Sequence, residues 1–331
     1  MPFGQPPVPE LPASLDISGK TAIVTGGNAG LGLAIARTLL QRGLAHLILA
    51  VRTPAKGEDA KRQLLADPSV AKRPTPPTIQ VMPLDLSSHA SVLAFANRVD
   101  REVPQLHIAV LNAGINAFDF ELAPETKNEM SYQVNFLSNA LLAVLLLPVL
   151  QRTSAAGPTH LTLVGSRMAL RNTFAKHPVS ASQPVAAHFN DRASFDWTTR
   201  YGDSKYLVLA FWHALAAHVD STRVVVNAVC PGQLKTGLAD GAPSWLTFLI
   251  IKPMLALRAR SAEEGARCIV YGAAAAGKES HGKQLGDMNV EPLVPYAETP
   301  AGRALEERIW KETMEIAEGL SAGATQKAGL A

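Results

Sequence analysis

The feature that most constrains this chain is a short apolar run that enters a glycine turn and leaves it as a helix. Thr21-Ala22-Ile23-Val24 has the character of a buried strand. It passes into Thr25-Gly26-Gly27-Asn28-Ala29-Gly30-Leu31-Gly32, after which Leu33, Ala36, Leu39 and Leu40 recur at helical spacing. Glycines there permit a tight turn and let backbone approach a pyrophosphate. The helix N-terminus adds unpaired N–H groups at the positive end of its dipole. An ordinary glycine-rich turn is the plainer reading, but the strand before and the helix after favour dinucleotide binding.

The same alternation continues along the chain. Strands are expected over residues 46–50, 78–83, 107–111, 160–165, 223–229 and 284–288, and helices over 55–65, 127–147 and 201–219. Ser261-Ala262-Glu263-Glu264 is a capping box that opens a further helix. Alternating strands and helices imply an α/β fold with a doubly wound parallel sheet, in one domain over residues 18–295. Residues 1–17 carry Pro2, Pro6, Pro7, Pro9 and Pro12 and are expected to form a flexible arm on the surface. Residues 296–331 supply a terminal helix, opened by Thr299-Pro300 with Ile309, Trp310, Met314 and Ile316 on its apolar side, and a tail.

Composition excludes several classes. A chain of 331 residues with 47% apolar and 18% charged residues buries a sizeable core. A net charge of +3 is too small to argue for a nucleic-acid partner. Cys230 and Cys268 give no disulfide framework and fit a reducing, cytoplasmic setting. The longest apolar runs, 140–150 and 245–251, are each too short to span a bilayer as a lone helix. The histidines do not cluster with acids or cysteines at ligand spacing, so no metal is expected.

Chemistry collects at the carboxyl ends of the expected strands. Tyr201 and Lys205 are four apart on one helix face. A free phenol has a pKa near 10, and a fixed ammonium beside it favours the phenolate. A shift of about three units corresponds to roughly 4 kcal/mol of differential interaction. Taken alone, the pair reads more simply as a solvated helix face. After the second strand stands Val51-Arg52 with no acid nearby. An acid there would bind a free ribose 2′-hydroxyl, whereas Arg52 pairs with a 2′-phosphate and points to NADP(H). A solvated surface arginine is the alternative. Asp85 is placed to bind an adenine amino group and Leu86 to pack on the ring, while Ser88 is placed to cap the next helix. Asn112-Ala113-Gly114 ends the fourth strand, Asn135 lies on an otherwise buried helix face, and Ser166 ends the fifth strand. Residues 167–200, with Phe174, Phe189, Phe195 and Trp197, are expected to form a loop over the site. The apolar segment 243–257 is expected to act as a lid.

Thr25-Gly26-x-x-x-Gly30-x-Gly32, Asn112-Ala113-Gly114, Asn135, Ser166, Tyr201-x-x-x-Lys205 and Pro231-Gly232 occur in one order. As a set over roughly residues 20–288 they resemble the short-chain dehydrogenase/reductase family. The long Ser166–Tyr201 gap and Val51-Arg52 are similar to the branch of retinol dehydrogenases and WW-domain oxidoreductases, as in fungal natural-product reductases. The resemblance implies a Rossmann fold of about seven strands with helices on both faces. It also implies a nicotinamide cofactor and hydride exchange between a carbonyl and an alcohol. Tyr201 would be the proton donor or acceptor, and Lys205 would tune it and bind the nicotinamide ribose. Ser166 would hold the substrate oxygen, and Asn135 a water in a relay through Lys205. Thr25, Gly26, Asn28, Gly30, Leu31 and Gly32 would cradle the cofactor, with Arg52, Asp85, Leu86, Asn112, Ala113 and Gly114. Pro231 and Gly232 would border the nicotinamide, and Thr236 would hold its carboxamide or a phosphate. Many relatives have a serine pair where this chain has Gly165-Ser166. The expected partner is a bulky, mostly apolar small molecule, and a homo-oligomer is compatible with the resemblance. The alternatives are a non-catalytic dinucleotide-binding sensor or scaffold, and a peripheral membrane enzyme using residues 243–257.

Overall fold

The computed structural model describes residues 5–235, 242 and 259–330. Among these, the strands are β1 (Thr21–Thr25), β2 (His46–Val51), β3 (Thr78–Pro83), β4 (Ile108–Leu111), β5 (Thr159–Val164), β6 (Val224–Cys230), β7 (Gln284–Gly286) and β8 (Asn289–Val290). They make one sheet in the order β3-β2-β1-β4-β5-β6-β7-β8. Neighbours pair in parallel as far as β7, and β8 turns back antiparallel at the edge. The strand expected over 284–288 stops at Gly286 because Asp287 and Met288 take positive φ, which no strand accommodates. β1 and β6 are buried at every position, as a parallel sheet covered on both faces requires.

The helices are α1 (Gly30–Gln41), α2 (Pro54–Leu65), α3 (Pro68–Ala71), α4 (His89–Glu102), α5 (Ser138–Thr153), α6 (Val185–Asn190), α7 (Trp197–His218), α8 (Ala262–Ala274), α9 (Pro300–Leu320) and α10 (Ala324–Lys327). Two apolar cores result, one on each face of the sheet. α1, α2 and α8 pack on one face, and α4, α5, α7 and α9 on the other. The expected caps form: Ser88 accepts from Ser91 N, Ser261 and Glu264 close their box, and Thr299 accepts from Gly302 N. Among the described residues one helical stretch, Tyr132–Thr153, is long and apolar enough to cross a membrane, but 89% of its most apolar window is buried inside the protein. It is the central helix of the second core.

Three expectations change. The helix expected over 127–147 starts later, since Lys127 has φ +59°. The Glu129 carboxylate accepts from Ser131 N and Tyr132 N, and a π-turn at Tyr132–Leu137 precedes α5. The stretch 167–200 is not a bare loop. It holds a 3₁₀ turn at Arg167–Arg171, helix α6 and the first turn of α7. Phe174 and Phe189 are 1% and 0% exposed and pack with Tyr132 and Tyr206, so they belong to the core.

The third change is the arm. Residues 5–17 lie docked, with Val8, Leu11 and Ile17 buried in the first core. Gln5 Nε2 donates to Gln233 O at 2.8 Å, and Gln233 N donates to Gln5 Oε1 at 2.7 Å. The buried Arg260 donates to Pro6 O at 2.5 Å, and Arg267 pairs with Glu10. Prolines do leave this stretch without ladder structure, but they also fix an extended shape that costs little entropy to dock. The segment 243–257 lies outside the described residues.

Leu11→Ala should lower unfolding free energy by about 2–4 kcal/mol, the usual cost of truncating a buried leucine. The check is the midpoint of denaturant unfolding at unchanged slope. A loose arm would leave that midpoint where it was.

Candidate active site

The chain runs from β1 outward through β2 to β3 and then returns to place β4 on the other side of β1. The crevice at the carboxyl ends of β1 and β4 is therefore the point where strand order reverses, the standard ligand position in open α/β sheets. Thr25 fixes its floor. The Thr25 hydroxyl accepts from Asn112 N and Ala113 N, both at 2.9 Å, and Asn112 Nδ2 donates to Thr25 O at 2.8 Å. Gly26 and Gly30 take positive φ in the turn that follows. Gly32 is required by close approach, since a Cβ there would lie 2.2 Å from Gly26 O. Side chains cap α4, α7, α8 and α9, whereas α1 begins at Ala29 with no capping side chain and no acid in its first turn. Its leading N–H groups, with the half-buried Asn28 and Leu31 beside them, are open to an anion. A dinucleotide pyrophosphate fits this cradle.

The π-turn carries Asn135 to the wall of the crevice. Its Oδ1 accepts from Ile115 N at 2.8 Å, and its Nδ2 donates to Ile115 O at 2.9 Å and to Ser204 Oγ at 3.0 Å. A Cβ on Gly114 would lie 3.0 Å from Asn135 Oδ1 and 3.8 Å from Lys205 Nζ, so these three groups share one small space. Lys205 is 5% exposed, donates to Val164 O at 2.9 Å, and holds Nζ 5.7 Å from the centre of the Tyr201 ring. Ser166 ends β5, accepts from Met168 N at 3.1 Å, and hydrogen-bonds the Tyr201 hydroxyl. A Cβ on the preceding Gly165 would sit 2.5 Å from Gln284 Oε1, so a serine pair here would require the glutamine side chain to move aside.

Burial sets the electrostatics. It pushes the Lys205 ammonium down to about 8. It also pushes the half-buried Tyr201 phenol up, as does nearby Cys230, and the Ser166 hydroxyl draws it partly back. The ammonium is committed to the Val164 carbonyl, and the phenol is held protonated, which suits a proton donor.

Arg52 is exposed at the end of β2, with no partner among the described residues. Asp85 is half-buried, and its Oδ1 accepts from Ser87 N and Ser87 Oγ. Leu86 is 5% exposed and packs in the second core. Pro231 is buried and Gly232 has φ +81°. Thr236 lies outside the described residues.

Sequence reasoning passed over three groups. Gly202 follows Tyr201 inside α7, and a Cβ there would meet Met168 O at 2.8 Å. The missing side chain lets the helix close on the Ser166 turn. A glycine in mid-helix was the available signal. Cys230 Sγ accepts from Arg167 N at 3.3 Å and from the Gly232 N–H, so one sulfur joins the Ser166 and Gly232 turns. Arg167 also pairs with Asp287 at 2.8 Å and Glu291 at 2.5 Å, and Asp287 holds Arg260 at 2.5 Å. No local pattern announces those long-range pairs.

With this geometry in place, the comparisons are consistent. The short chain dehydrogenase family model matches residues 20–247. Short-chain dehydrogenase/reductase tropG of Talaromyces stipitatus is 38% identical over 315 residues, covering 95% of each chain. Short chain dehydrogenase sor7 of Hypocrea jecorina is 41% identical over 297 residues, covering 88% of this chain and 81% of its own. Among solved structures, a Pseudomonas aeruginosa RhlG/NADP active-site complex has a TM-score of 0.60 at 25% identity, covering 82% of this chain and 96% of that one. A Mycobacterium paratuberculosis protein at 22% identity, with a TM-score of 0.64, shares the fold. The chain belongs to the short-chain dehydrogenase family and is an oxidoreductase with a Rossmann fold.

Gly202→Ala tests the contact between α7 and the Ser166 turn. In an ordinary helix this change stabilises by about 1 kcal/mol. Here turnover should fall at least about tenfold through loss of Ser166–Tyr201 alignment, with no gain in Tm. A more stable and equally active variant contradicts the role. Lys205 gives a pH test. Its folded pKa of about 8 lies below the ordinary lysine value of 10.5, so the fold disfavours the ammonium by about 3 kcal/mol below pH 8. That cost fades as pH rises from about 8 to 10.5. Lys205→Met should therefore be more stable than the parent near neutral pH and lose the margin at high pH, measured by denaturant unfolding.

Proposed function

We propose that the protein is an NADP(H)-dependent carbonyl reductase acting on a bulky, mostly apolar ketone or aldehyde. The observation that carries this reading is the meeting of Ser166, Tyr201, Lys205 and Asn135 beside an uncapped helix N-terminus. A scaffold would have no need to bury a lysine and a tyrosine side by side at such electrostatic cost. The bound nicotinamide would supply or accept the hydride. The chain's own residues do the rest. Ser166 donates to the substrate oxygen as negative charge develops there, and Tyr201 delivers a proton to the same atom. Lys205 holds positive charge next to the phenol and reaches toward the nicotinamide ribose. Asn135 fixes the Ile115 backbone and with it the wall opposite Tyr201. Arg52, exposed and unpartnered among the described residues, favours the 2′-phosphate of NADP(H) by charge pairing. Asp85 and Asn112 support the adenine and ribose ends, and Pro231, Gly232 and Thr236 the nicotinamide end. The fungal relatives and the absence of a disulfide framework support a ketoreductase of secondary metabolism working in the cytoplasm, with no nucleic-acid partner. A homo-oligomer is compatible with this reading.

Tyr201→Phe keeps the ring and removes only the hydroxyl. It should bind cofactor as before and lose about 10² to 10⁴ in single-turnover hydride transfer. Lys205→Met should lose cofactor affinity as well as rate, and Ser166→Ala rate alone. Arg52→Ala should erase a preference for NADPH over NADH. Wild-type transfer rates in Tyr201→Phe would remove the assignment, and an NADH-preferring parent would remove the cofactor choice.

A further inference from the structure

Two stretches of chain meet beside the catalytic residues through their aromatic side chains. Phe118 and Phe120 lie on the segment after β4, and Phe195 and Trp197 at the entry to α7. Phe118 faces Trp197 at 5.7 Å and Phe120 faces Phe195 at 5.8 Å, so the pairs run in antiparallel register. Phe195 and Asp196 are extended, which sends Phe195 and Trp197 to the same side. The result is a two-rung ladder of rings. Cations hold its outer rung. Arg192 stands over Phe120 at 4.9 Å, and the buried Arg200 lies 5.5 Å from Phe195.

The inner rung is tied to the chemistry from both sides. Trp197 is one turn before Tyr201 on the same face of α7, about 6 Å along the axis. Phe118 follows Gly114 and Ile115, the stretch whose backbone Asn135 clamps. Trp197 and Phe118 meet at 39°, tilted rather than stacked on one another, and Trp197 remains 38% exposed. An exposed indole one helical turn before the proton donor is suited to take the flat body of a molecule whose carbonyl oxygen reaches Ser166 and Tyr201.

Resting on the reductase reading above, we infer that Trp197 and Phe118 form the substrate subsite and select a planar, conjugated or aromatic carbonyl compound over a saturated one of equal size. Stacking on an indole depends on a π-face, whereas apolar burial alone does not distinguish the two.

Two probe ketones share one bicyclic carbon skeleton: 1-tetralone, with a fused benzene ring, and the saturated trans-1-decalone. Binding is measured by equilibrium dialysis on Tyr201→Phe with saturating NADPH, so that no turnover intervenes. 1-Tetralone should bind at least about tenfold more tightly. Adding Trp197→Ala should weaken 1-tetralone at least about tenfold, leave trans-1-decalone within about twofold, and spare NADPH affinity. Adding Trp197→Phe should keep most of the discrimination. Equal binding of the two ketones overturns the inference, as does no binding of 1-tetralone. An unchanged ratio in Trp197→Ala also overturns it. So does a parallel loss of both ketones and NADPH, which would make the ladder only a brace for the 167–200 stretch. If 1-tetralone binds as expected but the parent protein does not reduce it, the reductase reading fails while the subsite stands.

Discussion

The hydroxyl of Thr25 is the constraint on which the site depends. A parallel sheet wound in two directions has to part somewhere, and it parts where β1 and β4 lie side by side and their onward chains diverge. Left alone, that parting exposes backbone N–H groups on both sides. Thr25 takes two of them from the Asn112-Ala113 turn, and Asn112 returns one bond to the Thr25 carbonyl. The crevice thus has a closed floor and open walls. The glycine turn forms one wall and the Asn135-clamped Ile115 segment the other, while Ser166 follows β5 and Tyr201 and Lys205 come from α7.

Bonds to backbone position most of the side chains. Asn135 holds Ile115, Lys205 holds Val164, Ser166 holds Met168 and Cys230 holds Arg167. A side chain fixed to backbone cannot drift without moving the sheet edge, so the constellation inherits the rigidity of the parallel strands. The arginine–carboxylate chain from Arg167 through Asp287 to Arg260 extends the same bracing to β7 and to the docked N-terminal segment. Burial then disfavours charge on Lys205 and on Tyr201 alike, which keeps the tyrosine proton in place.

Much of this was legible in the sequence, because each part rests on a local rule. The strands β1 to β6 follow apolar runs, and the Ser261 capping box and the Thr299-Pro300 start mark two of the helices. The glycine turn and the Tyr201–Lys205 spacing mark the site. The parts that were not legible depend on contacts far apart in the chain. Nothing near Gly202 tells that Met168 O will press against it, and nothing in the prolines of residues 5–12 tells that Arg260 and Gln233 will receive them. Phe174 and Phe189 looked like loop aromatics because their partners, Tyr132 and Tyr206, come from other helices. The π-turn at Tyr132–Leu137 was hidden because a single extra residue per turn leaves the helical period almost intact.

The docked arm also has a bearing on how the protein assembles. Gln5 meets Gln233 across 228 positions of sequence. A closure that long is entropically expensive before the sheet exists and nearly free afterwards, since by then β6 and α8 have already brought the receiving groups to the place where the arm begins. Residues 5–12 are therefore among the last parts of the described chain to find their partners. The turn at Gly232-Gln233, which borders the site, gains that brace only once the sheet has formed, so the site's edge is finished after its floor.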